Sequence, residues 1–254
     1  MDLIDSHCHI DVADFDADRA EVLARCRAAG IKRFIVPAID VAGWDRLLRL
    51  CEQEQGLYPA LGLHPVFLEQ HQDGDVEKLE AKLATISVVA VGEIGLDFYI
   101  ADLDKDRQRA LFEAQLVIAS NLGLPVILHV RKSHDEVLNY LKRFKLKGGI
   151  AHAFNGSLQQ AQQYIDLGFK LGFGGTMTYE GSHKIHQLAR ELPIEAIVLE
   201  TDAPDMVVAS HRGERNSPEY LLESLQALAK LRDEDIETLS QQTTDNTCAV
   251  FGLN

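Results

Sequence analysis

Leu3-Ile4-Asp5-Ser6-His7-Cys8-His9 opens the chain as a short apolar strand that runs straight into two histidines. Extended backbone turns alternate side chains to one face, so residues 7 and 9 point together. Two adjacent imidazoles are ready donors for one divalent cation. Seven more short apolar runs follow, at 33–37, 58–63, 88–91, 125–128, 149–151, 170–173 and 196–199. They are β-branched and continuously apolar rather than alternating, as in strands buried on both faces. Amphipathic segments lie between them, at 18–29, 43–55, 76–85, 106–122, 135–144, 158–167 and 183–191, with two more at 218–231 and 233–251. Several close on a glycine (Gly30, Gly56, Gly123, Gly168), the residue that ends helices in the left-handed conformation.

This unbroken alternation predicts an α/β fold of the (β/α)8 TIM-barrel type. No linker, low-complexity tract or repeat marks a boundary, so one domain over 1–254 is expected. The competing architecture is an open doubly wound sheet. That fold wants a glycine-rich phosphate loop after its first strand, where this chain carries two histidines.

Of the 254 residues, 46% are hydrophobic and 25% charged, enough for a sizeable core. No run approaches the roughly 18 apolar residues of a membrane span. The start, Met1-Asp2-Leu3, lacks the basic segment of a signal peptide. Cys8, Cys26, Cys51 and Cys248 are widely spaced and form no Cys-x-x-Cys, so free thiols and a cytoplasmic location are expected. A net charge of −14 argues against a broad nucleic-acid-binding face but leaves room for one or two phosphates at a strand end. Residues 131–147 run against that sign, with six Lys/Arg against Asp135 and Glu136, and are expected to form a solvated helix face.

In a barrel, chemistry gathers at the C-terminal ends of the strands. Those ends carry His7 and His9, then His64, Glu93, His129, His152 and Asp202. The other five histidines (His71, His134, His183, His186, His211) fall in helices or loops and are expected at the surface. Imidazole and carboxylate suit Zn²⁺, Mn²⁺ or Fe²⁺, and no cysteine joins the ring to select a softer site. The donors exceed the needs of one ion, and they divide naturally between two. His7, His9 and Asp202 would hold one, His129 and His152 the other, with Glu93 bridging. Two cations a few Å apart would acidify a shared water, and Asp202 would serve as its general base.

Six motifs then carry a family resemblance: Asp5-Ser6-His7-Cys8-His9, Gly62-Leu63-His64-Pro65, Gly92-Glu93-Ile94-Gly95-Leu96-Asp97, His129-Val130-Arg131, His152-Ala153-Phe154-Asn155-Gly156 and Glu200-Thr201-Asp202-Ala203-Pro204. Arg215-Asn216-Ser217-Pro218 and Asn246-Thr247 add tail signatures. Together they resemble the TatD-type metal-dependent deoxyribonucleases of the amidohydrolase-like barrel superfamily, nearest the YjjV-like branch. The resemblance covers essentially the whole chain. It implies two divalent metal ions (Zn, Mn or Mg) held by His7, His9, Glu93, His129, His152 and Asp202, with Asp202 and Glu93 catalytic. It also implies hydrolysis of DNA phosphodiesters, often from a 3′ end, with DNA ends or short single-stranded nucleic acid as substrate and no obligate protein partner. His64 would face the scissile phosphate rather than a metal, and Arg131 would reach a phosphate oxygen or else form a salt bridge at the barrel rim. Asp97 is expected to orient a ligand histidine, Glu200 to act as a supporting carboxylate, and Phe98 and Tyr99 to cap the core or else to stack a base. Glu180 stands where the family pattern has proline, in the seventh loop. The alternative activity is amide or ester hydrolysis, as in other amidohydrolase-like enzymes; those usually carry a bridging modified lysine on the fourth strand, where this chain has Glu93. A barrel that binds metal without turnover is the third class.

Overall fold

Each apolar run becomes a strand and each amphipathic run a helix in the computed structural model, which describes residues 1–253. Strands β1 (Leu3–Asp5), β2 (Ile31–Pro37), β3 (Leu57–Leu61), β4 (Ala90–Asp97), β5 (Val126–Arg131), β6 (Gly149–Ala151), β7 (Phe169–Phe173) and β8 (Ile197–Leu199) pair in parallel, in chain order. The Ser6 N–H donates to Leu199 O at 3.0 Å and the Asp202 N–H to His7 O at 2.9 Å, which brings β8 back to β1 in a nearly closed barrel. Helices α1 (Arg19–Ala28), α2 (Val41–Gln53), α3 (Asp75–Leu83), α4 (Lys105–Leu122), α5 (His134–Leu141), α6 (Leu158–Asp166), α7 (His183–Glu191) and α8 (Leu221–Arg232) follow the strands in turn. A ninth helix, α9 (Ile236–Phe251), packs against β1, β6, β7 and β8. Four of these helices start on a side-chain cap, among them α2, where Asp40 accepts from Gly43 N, and α6, where Ser157 with Gln160 forms a capping box.

The barrel interior is a small apolar layer of Ile4, Ile35, Ala60, Ala90, Ile127, Ile150 and Val198, one residue from each of seven strands, with Phe251 of α9 packed against it. Side chains alternate along a strand, so the residue two further on points into the same interior, nearer its C-terminal end. Those residues are His129 after Ile127, His152 after Ile150 and Glu200 after Val198. A Cβ on Gly172 would lie 2.0 Å from Glu200 Oε2, so glycine on β7 leaves the space this carboxylate fills.

Three expectations need correction. The fourth strand does not stop at 91 but runs to Asp97, buried at all eight positions. Its glycines and acids read as loop, yet the polar side chains are aimed into the barrel by a register shift between Val91 and Ile94. Gly95 (φ 151°) approaches β5 so closely that a Cβ would meet His129 O at 1.9 Å. The first strand ends at Asp5 and the chain then bends, so His7 and His9 converge through that bend rather than by strand alternation. Finally, His71 and His134 are buried, not superficial, because each fills a hydrogen-bonded niche: His71 Nε2–H donates to His64 O at 2.8 Å, and His134 sits between Tyr164 Oη and Asn155 Oδ1. The four cysteines are free. Among the described residues no helix is long and apolar enough to cross a membrane.

The Asn246-Thr247 signature is architectural. Asn246 Nδ2 donates to Ile194 O and Ile197 O, both at 2.7 Å, and so ties α9 to the entry of β8. Asn246→Ala strands two buried carbonyls and should cost about 2–4 kcal/mol, read as a lower urea midpoint at unchanged m-value. An unchanged midpoint would show the tie to be dispensable.

Candidate metal centre

Glu93 reaches inward from β4, only 1% exposed, and each of its oxygens meets a different group of donors. Oε2 lies 3.2 Å from His7 Nε2 and 3.4 Å from His9 Nε2. Those two nitrogens are 3.3 Å apart, and Asp202 Oδ1 lies 3.4 Å and 3.8 Å from them. Oε1 lies 3.1 Å from each of His64 Nε2, His129 Nδ1 and His152 Nε2. All six expected donors and His64 therefore come together in one cup.

The outer hydrogen bonds fix where the imidazole protons sit. A neutral imidazole has one N–H and one lone pair. His9 Nδ1 lies 3.1 Å from Pro37 O, which only accepts, so the proton is there and the Nε2 lone pair faces inward. His129 Nε2–H donates to Asp97 Oδ2 at 3.0 Å, leaving the Nδ1 lone pair toward Glu93. His64 is the reverse: its Nδ1 accepts the Val66 backbone N–H at 3.1 Å, which leaves the proton on Nε2, aimed at Glu93 Oε1. His64 thus offers the cup an N–H donor rather than a lone pair, although His64, Glu93 and His129 are close enough together to cage an ion.

Lone pairs of His9 and His129 facing a buried carboxylate repel one another unless positive charge lies between them. Glu93 Oε2, within the cup, also lacks any hydrogen-bond partner. Donor separations of 3.2–3.8 Å around Oε2 match the edges, about 3.4 Å, of a tetrahedron with metal bonds of about 2.1 Å. The donor set fits a divalent cation. Protons take over part of that role when the donors stand alone. Burial alone would drive the Glu93 carboxyl up, but His64, His152 and His7 around it hold it well below the usual range. Burial opposes charge on His9 too, yet Glu93 and Asp202 raise it to about 9. His7, sealed in and beside His152, falls to about 3. Burial lifts Asp202 to about 6 against the pull of His152 and His9.

Comparison with known proteins agrees with this chemistry. The family described as TatD related DNase matches residues 4–252. The chain belongs to this family. An uncharacterized metal-dependent hydrolase, YjjV of Escherichia coli K12, is 42% identical across 98% of each chain. The crystal structure of YjjV, a TatD homologue, superposes with a TM-score of 0.95 over 99% of this chain and 98% of that one. The 3′-5′ ssDNA/RNA exonuclease TatD of Klebsiella pneumoniae strain 342 is 31% identical over 99% of this chain and 98% of its own. The class of this TatD-family chain is therefore metal-dependent hydrolase.

The surroundings show how a TatD-family cup is held in shape. Asp5 Oδ1 accepts from His7 N and Thr201 N, and Asp5 Oδ2 from Thr201 Oγ1, binding the exit of β1 to that of β8. Asn216 Nδ2 donates to Thr201 O at 2.8 Å and to Asp205 O, bracketing the turn that carries Asp202. Neither role was visible beforehand; the only signal was that both residues belong to the motifs. Glu200 supports as expected, accepting from Ala153 N at 2.6 Å. Lys132, Ala153, Asp202 and Met206 all take positive φ (46° to 57°), strain that such bonds maintain at the strand ends. The centre opens into a cavity of about 850 Å³, also lined by Arg131 and Asn155 and, elsewhere on its wall, by Asp14 and Asp205. Among the described residues Arg131 pairs with no carboxylate, so the rim salt bridge does not form; its guanidinium lies over Tyr99 instead. Glu180 lines a separate groove with His186, Arg190 and Lys230, so its carboxylate does not face the cup.

Chelation should lower the melting temperature, because an ion at a hundredfold its Kd adds about 2.7 kcal/mol, roughly 5–10 °C for a chain of this size. Identical melting with EDTA and with added Zn²⁺ or Mn²⁺ would contradict the metal fit.

Proposed function

We propose that this chain is a two-metal phosphodiesterase that removes nucleotides from the 3′ ends of DNA or of short single-stranded nucleic acid. One observation carries the reading: a single carboxylate, Glu93, turns one oxygen to His7 and His9 and the other to His129 and His152. In this reading His7, His9 and Asp202 would hold one ion and His129 and His152 the other, with Glu93 offering an oxygen to each group. When bound, Zn²⁺, Mn²⁺ or Mg²⁺ lowers the pKa of a water and draws charge from a phosphate.

The residues supply the rest. Asp202, whose Oδ1 lies 3.4 Å from His7 Nε2, stands where it can take a proton from an attacking water. Glu93, held ionised by its imidazoles, keeps the two halves in register. His64 donates its Nε2–H to a phosphate oxygen, and its backbone is pinned by His71. Arg131, free of carboxylates at the cavity wall, presents a planar fork to a second oxygen. Direction along the strand follows the name of the Klebsiella relative, a 3′-5′ exonuclease.

The test is purified protein with Mg²⁺, Mn²⁺ or Zn²⁺ on 3′-labelled single-stranded DNA, beside a panel of amides and esters. Nucleotide release is expected, lowered about a hundredfold or more by His129→Ala and by Asp202→Ala. Release unaffected by both substitutions, or amide turnover alone, would overturn the reading. His64→Ala should slow hydrolysis about tenfold or more while bound metal, measured by elemental analysis, stays at the wild-type level. Loss of metal in that variant would make His64 a ligand after all.

A further inference from the structure

The two aromatics expected to cap the core part company. Phe98 does pack against it, beneath Lys105 and Arg109. Tyr99 turns out to solvent, 53% exposed, the one aromatic ring among the large hydrophobics exposed in the described residues. Its ring is not loose. The Arg131 guanidinium lies 3.8 Å from the centroid and Lys132 Nζ 4.9 Å.

Several bonds hold this arrangement next to the metal centre. Asp97 grips His129 with Oδ2 and accepts the Tyr99 and Ile100 backbone N–H groups on Oδ1, at 2.9 and 3.1 Å. The Phe98 N–H donates to Arg131 O at 2.8 Å, carrying the β4–β5 ladder out to the rim. Ser133 Oγ–H donates to Leu96 O, fastening the turn on which Lys132 sits with φ 54°. One carboxylate therefore sets both a ligand histidine and the tyrosine. Ile100 and Arg131 line the cavity, and Tyr99 stands just outside it.

We propose that Tyr99, backed by Arg131 and flanked by Lys132, is a stacking subsite for the base next to the cleaved nucleotide of a single-stranded nucleic acid. An exposed aromatic face beside unpaired cations is how proteins hold unstacked bases and the phosphates between them. Most other arginines are spent on carboxylates, as in Arg25–Glu219, Arg27–Glu54 and Arg215–Asp18. On a chain of net charge −14, Arg131 and Lys132 make this stretch of rim the tolerant path for a phosphate backbone, whereas Asp14 and Asp205 repel it elsewhere on the cavity wall. A base inside a duplex is already stacked, so the subsite favours single strands.

This subsite rests on the phosphodiesterase reading, and the experiment separates the two. Wild-type and Tyr99→Ala holoenzymes are compared on a single-stranded oligonucleotide and on bis(p-nitrophenyl) phosphate, which has no neighbouring base. Tyr99→Ala should raise KM for the oligonucleotide about tenfold, with kcat and turnover of the small diester unchanged, and Tyr99→Trp should restore KM. An oligonucleotide with 2-aminopurine next to its 3′ nucleotide and a phosphorothioate at the terminal linkage should be quenched by wild type and not by Tyr99→Ala. Lys132→Ala should flatten the dependence of log Kd on log salt by about 0.7. Quenching without hydrolysis would overturn the phosphodiesterase reading and keep the subsite. An oligonucleotide KM within twofold of wild type, or equal quenching by Tyr99→Ala, would overturn the subsite whatever the hydrolysis.

Discussion

The Glu93 carboxylate is a charge buried among five imidazoles, and a buried charge persists only where opposite charge compensates it. Much of the barrel's C-terminal end serves that compensation. The register shift in β4 aims Glu93 inward, and Gly95 lets β5 approach closely enough to bring His129 alongside. Asp97, Pro37 O and Val66 N each fix one imidazole's proton, deciding which nitrogens offer lone pairs and which one offers an N–H.

Most of the fold was legible in the sequence because buried parallel strands announce themselves as short continuous apolar runs. β6 and α7 fall at 149–151 and 183–191, where the apolar pattern puts them. The pattern fails where function intrudes. Gly92, Glu93, Gly95 and Asp97 look like a loop because a strand lining a polar cup loses its apolar signature. His71 and His134 looked superficial because a lone polar residue in a helix or loop carries no mark of the niche that tertiary packing builds around it.

The side chains that meet in the cup were legible one by one, from their places at strand ends, since barrel topology fixes where such ends meet. Their proton placement was not. It depends on backbone groups, Pro37 O and Val66 N, whose positions no motif records. Nor was the outward turn of Tyr99, which follows from the grip of Asp97 on the backbone beyond β4. The tail signatures Asn216 and Asn246 prove to be braces on backbone carbonyls, so a polar motif residue need not touch substrate.

The central claim is that Glu93 divides its two oxygens between two cations. Anomalous scattering from crystals grown with Mn²⁺ tests it most directly. The account predicts two peaks, one among His7, His9 and Asp202 and one beside His129 and His152, with Glu93 touching both. A single peak away from Glu93, or no peak in the cup at all, would contradict it.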